Sequence, residues 1–483
     1  MPILDEVRIT ELPGADPLAG LELIPLVQSG VTKTRSAQNL VLEGGLQDHL
    51  DDADPHTQYL KESEYEDHRS REDLLKQATL SLDFANNKYE VYEGPVNSLT
   101  QMPFNTALDF TRASSATART ATGKIQGVLT DEQRLVGNRE GLLIEEARTN
   151  LITYSEQFDN AAWSKFGGAI TANTNLAPDG AVTGDTFLED TTFSSRVVRQ
   201  QSVDVVLGLK YAFYVYAKLG SGDRKLALTI DGASNGAVFD LLAGTALTTS
   251  GGSALIQSQN NGYYLVTYLF EATSTGSVAA DVRMQRSSTT GIDRYTGDGT
   301  SSVILWGAQL EQGSFPTSYI PTTGTQVTRA TDDCVRTLGD EFNQNEFTVY
   351  AEIDKYPEAG ANARFLSLSD GTSSNRITLR EAGDTFVFVG SGNIQVIPIP
   401  GVVGGIRSKI AYSFNNATRR LIFAVNGEVI FSTTTTGFLG PVAVLRLNGG
   451  QLTTHYITAV FKDLFMFPTA LTDAELITLT GGT

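Results

Sequence analysis

The sequence predicts a mainly β chain built around two tandem β-sandwich, or jelly-roll, domains over residues 151–322 and 323–483. Three observations predict it. Aromatic and β-branched runs recur, among them Tyr211–Ala217, Tyr263–Phe270, Val303–Leu310 and Phe347–Ile353. Clusters of Gly, Asp, Asn and Ser interrupt these runs at short intervals, and no long helical periodicity separates them.

Composition narrows the function. At 483 residues the chain has room for about three domains, each with its own core. Its formal charge of −19 disfavours a nucleic-acid groove, which needs a concentrated positive field. The single cysteine, Cys334, forms no intrachain disulfide, so stability must come from packing and oligomerisation. No apolar run reaches the ~20 residues of a membrane span, and Met1 to Glu6 lacks a signal-peptide pattern. Membrane insertion is therefore not expected.

Taken in order, residues 1–43 hold two short β-type runs, Val7–Pro13 and Leu23–Lys33, which carry too little apolar surface for an independent domain. Residues 44–82 are highly charged and contain His49, His56 and His68. Within them, 61–78 lacks Gly, Pro and β-branched residues and reads as helix. A heptad through Tyr65, His68, Glu72, Leu75, Thr79 and Leu82 is only half apolar, so this neck needs its flanks to associate. Residues 83–150 form a connector. In the last domain, Phe365–Ser369 and Arg376–Arg380 predict one hairpin, and Leu421–Val425 with Glu428–Phe431 predict a second across Asn426-Gly427. Thr472 with Glu475 three residues later predicts a capping box that starts a short final helix.

The most distinctive wording lies in the connector: Asp109-Phe110-Thr111-Arg112, then Gly141-Leu142-Leu143-Ile144-Glu145-Glu146, then Arg148-Thr149-Asn150, and Ser155-Glu156 running to Trp163. It resembles a segment of bacteriophage tail-fibre and virion adhesion proteins. Asp54-Pro55-His56-Thr57-Gln58-Tyr59-Leu60 resembles their collar element. Trp306–Glu311 and Tyr319–Thr322 resemble the closing strand and exit of carbohydrate-binding-module-like jelly rolls. The layout of 345–480 resembles concanavalin or laminin-G-like sandwiches. This resemblance implies an elongated homotrimeric fibre with a short N-terminal anchor and a short helical neck. It implies that residues 1–43 dock on a tail, baseplate or capsid protein, and that the sandwiches bind a host-surface polysaccharide. Such a protein is made in the host cytoplasm and released with the virion by lysis. Two alternatives stay open: a purely structural head fibre, whisker or baseplate connector, and a polysaccharide-degrading tailspike.

Catalytic patterns mostly dissolve. Gly232-Ala233-Ser234-Asn235-Gly236 has the spacing of a nucleophile elbow, but the runs on either side read as two strands rather than a strand and a helix. There is no HExxH, CxxC pair or P-loop, so a non-enzymatic binding role is expected. Aromatic faces recognise pyranose rings, which makes Trp163, Tyr263, Tyr264, Tyr295 and Trp306 the glycan-binding candidates. Core packing is the competing reading for Trp306 in its apolar run, and Tyr295 lies in a turn-rich loop. No cofactor is expected beyond two metal options. Three-fold symmetry would gather copies of His56 or His68 on the axis, and Asp293 with Asp298 offer calcium oxygens in one loop. A hydrogen-bonded histidine and a plain hairpin tip are the competing readings.

Overall fold

The computed structural model describes residues 70–93, 99–137, 141–231, 235–291, 293–356, 364–380, 385–390, 392–400, 402, 404–447 and 458–481. The chain divides into two compact units, Met1–Gln77 and Ala78–Thr483. The expected anchor at 1–43 and the collar motif lie outside the described residues, as do His49, His56 and His68. In the first unit the helix Arg71–Leu75 is capped by Ser70, whose Oγ accepts the Asp73 N–H at 3.2 Å. The helix expected over 61–78 ends at Leu75, with 61–69 outside the described residues, and the heptad does not continue to its last position. Leu82 lies on the strand Leu80–Asp83, which pairs with Ala459–Phe467. The alternating Leu80-Ser81-Leu82 run favours a strand once a partner edge and a core are available.

The second unit is mainly β. One sandwich is made of two six-stranded antiparallel sheets. The first sheet runs, in spatial order, Trp163–Phe166, Arg196–Val205, Gly276–Gln285, Lys225–Ile230, Asn235–Asp240 and Thr245–Ser250. The second runs Gly168–Leu176, Val182–Glu189, Ser302–Gln312, Lys210–Ser221, Tyr264–Glu271 and Gly252–Ser258. Their facing sides bury Phe187, Phe213, Val215, Leu228, Phe239, Val266, Val282 and Leu305. Lys225–Ile230 and Asn235–Asp240 pair as antiparallel neighbours. The GxSxG spacing is therefore flanked by two paired strands rather than by a strand and a helix.

The other sandwich is discontinuous in sequence. Its seven-stranded sheet runs Asn393–Pro398, Thr385–Gly390, Arg376–Arg380, Arg364–Ser369, Val444–Arg446, Asp333–Thr337 and Asp109–Thr111. Its ten-stranded sheet joins Leu80–Asp83, Lys88–Tyr92, Leu99–Met102, Arg134–Val136 and Gly141–Ile144 to strands between Glu346 and Phe467. The connector is thus part of this sandwich, and its Leu82, Tyr89, Phe110, Leu142 and Ile144 share a core with Phe347, Phe388, Phe423 and Met466. The first sandwich is an insertion between Ile144 and Asp333. The outgoing and returning passages are zipped together where Arg148–Asn150 pairs with Val327–Arg329.

Local signals appear where expected. Phe365–Ser369 pairs with Arg376–Arg380. Val425 opposes Glu428 across Asn426 and Gly427, both at positive φ, as a tight hairpin turn requires. The final helix Asp473–Gly481 begins with a reciprocal cap: Glu475 N–H donates to Thr472 Oγ1 at 3.3 Å and Thr472 N–H donates to Glu475 Oε2 at 2.8 Å.

Candidate functional site

The joint between the sandwiches uses up most of the distinctive connector wording. Arg112 and Arg134 both pair with Asp332, and Arg134 and Arg329 both pair with Glu145, all with side chains at most 3% exposed. Glu145 also accepts the Ser318 N–H at 2.9 Å and the Ser318 hydroxyl at 2.6 Å. Burial would raise the Glu145 carboxyl, but Arg329, Arg134 and Ser318 outweigh it and hold the pKa down to about 2. Asn150 satisfies both ends of its amide. It donates to Ala308 O and Ile320 O and accepts from the Ile152 and Leu310 N–H groups. Ser155 and Glu156 hold the Tyr319 hydroxyl at 2.7 and 3.0 Å. These residues close an internal seam, which is a structural task.

The loop 293–299 lies at one end of the first sandwich. Strand Val182–Glu189 delivers Glu189, fully buried, to that end. Asp190 then forms a tight turn, accepting the Thr192 N–H at 3.0 Å, and Phe193–Ser194 pairs with Tyr295–Thr296. Glu189 is the hub. It accepts the Tyr295 hydroxyl at 2.8 Å, the Asp298 N–H at 2.8 Å, and a two-pronged contact from Arg224 at 2.7 and 3.1 Å. The Arg196 guanidinium lies 4.1 Å from the Tyr295 ring centroid and donates to Tyr295 O and Ser194 O. Gly297 is required here, because a Cβ would lie 2.0 Å from Asp190 O and 2.4 Å from Arg196 Nη2.

This geometry corrects the reading of Tyr295 as an exposed stacking residue. It is 6% exposed, its ring faces guanidinium groups, and burial followed by the Glu189 contact pushes its phenol well above the usual value. The loop folds inward because Glu189 needs donors. The carboxylates beside it serve turns. Asp298 accepts the N–H and hydroxyl of both Thr300 and Ser301, contacts that hold its carboxyl well below the usual range. Asp293 accepts the Arg286 and Ser287 N–H groups, each at 2.8 Å. Among the described residues, no group of three His, Cys, Asp or Glu side chains converges as a metal cage.

Of the other four aromatic candidates, Trp163, Tyr263 and Trp306 are buried and Tyr264 is half-buried. Trp306 and Tyr263 sit in one buried cluster with Tyr216, Tyr319 and Ile125 on the outer side of the second six-stranded sheet. Ile125, from the hairpin Ala116–Arg119 with Ile125–Val128, is part of what covers them. Alternation with core-facing Val303 and Leu305 points Ile304 and Trp306 into this cluster, and a β-bulge at Gly307, φ 61°, then moves the core-facing positions to 308 and 310. Trp163 is buried, its Nε1 donating to Tyr154 O at 3.0 Å, and Tyr264 is half-buried against the main core.

An aromatic ring that does reach solvent at this loop end is Phe193, 71% exposed. Around the same end stand Arg286, which is exposed, and Asp223, Arg224 and Asp298. Hydrogen bonding to Glu189 outweighs the opposing effect of burial and raises the Arg224 guanidinium above its usual value. A rigid rim of donors and acceptors with a presented ring suits a sugar, whose apolar face stacks while its hydroxyls hydrogen-bond. In sequence Phe193 is an isolated aromatic in the polar turn Asp190-Thr191-Thr192-Phe193-Ser194-Ser195. That isolation is the signal that could have selected it.

No family model matches the chain, and no curated protein does. Among solved structures, the chain is similar to the Ruminococcus gnavus IT-sialidase CBM40 bound to alpha2,3 sialyllactose. That match covers 29% of this chain and 84% of the other, at 18% identity and a TM-score of 0.25. It is similar to the NanB sialidase from Streptococcus pneumoniae over 31% of this chain and 26% of that one, at 15% identity and a TM-score of 0.27. A match to the receptor binding domain of botulinum neurotoxin mosaic serotype C/D covers 31% and 39%, at 10% identity and a TM-score of 0.26.

Proposed function

We propose that this chain is a homotrimeric bacteriophage virion fibre or spike that binds a host-surface glycan through its β-sandwiches. Residues 1–43 attach it to a tail, baseplate or capsid protein. It works on the virion, after synthesis in the host cytoplasm and release by lysis. The observation that carries the binding role is the exposed Phe193 ring on a rim fixed by Glu189. The connector's resemblance to phage fibres supplies the context. Weak single sites suffice, because several on one particle raise the effective affinity by orders of magnitude.

Labelled full-length protein should bind susceptible host cells and weigh as a trimer by mass photometry. Phe193→Ala should cut cell binding about tenfold, the loss of one stacking contact, with the melting temperature unchanged. Undiminished binding by the variant would remove Phe193 from the site. Failure of the wild type to label any susceptible strain would sink the receptor role.

One observation favours a second reading, a purely structural virion component: the connector's polar side chains are spent on the internal joint. That reading predicts no host binding, with the protein retained on the particle.

A further inference from the structure

The seven-stranded sheet turns Leu366, Leu368, Ile377, Leu379, Phe386 and Phe388 into the core of the second sandwich. Alternation with Ile377 and Leu379 places Arg376 and Arg380 on its opposite face, and the β-bulge between Arg364 and Leu366 carries Arg364 to that face beside Arg380. Arg364 and Arg380 are directly opposed in register across neighbouring strands, an arrangement that like charges disfavour. Arg364 is only 5% exposed, and its Nε and Nη1 are sheltered with no hydrogen-bond acceptor. The Nε of the half-buried Arg376 is sheltered without an acceptor as well, while its Nη1 donates to Ser373 O. Among the described residues, no carboxylate pairs with either side chain.

Elsewhere the buried arginines have carboxylates beside them, even where one guanidinium nitrogen lacks an acceptor, as in Arg134, Arg196 and Arg329. Arg112, Arg134 and Arg329 are each matched to Asp332 or Glu145, and Arg446 on this same sheet pairs with Asp333. In a chain of 55 acidic and 36 basic residues, a carboxylate partner is easily supplied. Burial and then the neighbouring arginines push the Arg364 and Arg376 guanidinium groups below their usual value, although an arginine keeps its proton. A buried cation without a counter-ion, as at Arg364, is costly, and it is retained where a ligand completes it.

We infer that Arg364, Arg376 and Arg380 form a site for the anionic group, carboxylate or sulfate, of an acidic polysaccharide. The guanidinium fork matches either group with two parallel hydrogen bonds. The same face carries an apolar strip beside the cations: Arg376 is opposed by Val389 and then Ile394, and Val387 is opposed by Val396. Ile394 is 69% and Val396 50% exposed, which suits the apolar side of a sugar ring that follows the charged group. The inference rests on the glycan-binding reading and assigns it a charge class and a second site.

The test titrates the full-length chain with polygalacturonate, dextran sulfate and neutral dextran, following thermal shift and calorimetric binding. At least one anionic polymer should bind while dextran does not, and added salt should weaken the binding. Which of the two binds identifies the group. The double variant Arg364→Met/Arg376→Met should bind about tenfold or more weakly. Arg376→Lys, which keeps the charge and loses the fork, should fall between them and carries the test where the double variant fails to fold. Equal binding of all three polymers, or a variant that binds as the wild type does, overturns the inference. Host-cell labelling separates this result from the wider role. Labelling that survives the arginine changes but not Phe193→Ala refutes this site alone, and wild-type protein that labels no cells refutes the wider role.

Discussion

At Glu145 a single carboxylate meets Arg134, Arg329 and two donors of Ser318 in a setting closed to water. Replacing it with alanine leaves buried guanidinium charge uncompensated, and the expected cost is about 3–5 kcal/mol. The pH dependence follows from the depressed pKa. The stabilisation is fully present above the unfolded carboxylate value, about 4.3, and is lost as pH falls toward about 2. The stability difference between wild type and Glu145→Gln, from denaturant melts, should be large at pH 7 and shrink steadily between pH 4.5 and 2.5. A constant difference would show that the charge is not what matters there. Residue type was legible at such positions, but residue role was not. Arg112, Glu145 and Asn150 stood out by their wording, yet their partners lie far along the chain, as with Arg134 and Asp332. Tyr295 looked like loop surface until Glu189, 106 residues away, took its hydroxyl.

Elements whose cause is local were the legible ones. The Asn426-Gly427 hairpin and the Thr472 cap depend on neighbours within a few residues, and both form. Thr472→Ala should cost about 1 kcal/mol by removing the acceptor for the Glu475 N–H, measured as a shift in the denaturant midpoint. An unchanged midpoint would mean that packing of Leu476 and Leu479 alone sets the helix start. The heptad was carried to Leu82 because a periodic pattern describes an isolated segment, whereas Leu80–Asp83 meets a strand edge at Ala459–Phe467.

At the scale of the whole molecule, the insertion of one sandwich into the other governs what can be cut. Ala459–Phe467 pairs with both Leu80–Asp83 and Gly141–Ile144. A chain beginning at residue 151 leaves those edges unpaired and part of the second core uncovered, so it should aggregate on size exclusion, whereas residues 78–483 should run as a defined species. A well-behaved species from 151 onward would mean that the second sandwich holds together without the connector. The sequence by itself determined the β class, the hairpins, the helix cap and the unusual connector wording, because alternation, turn chemistry and capping act over a few residues. Only the tertiary structure decided that the connector completes the second sandwich, that Trp306 and Tyr295 are enclosed while Phe193 is presented, and that three arginines share one sheet face. Each of these depends on pairing between distant segments, and strand register and burial are properties of the assembled sheets.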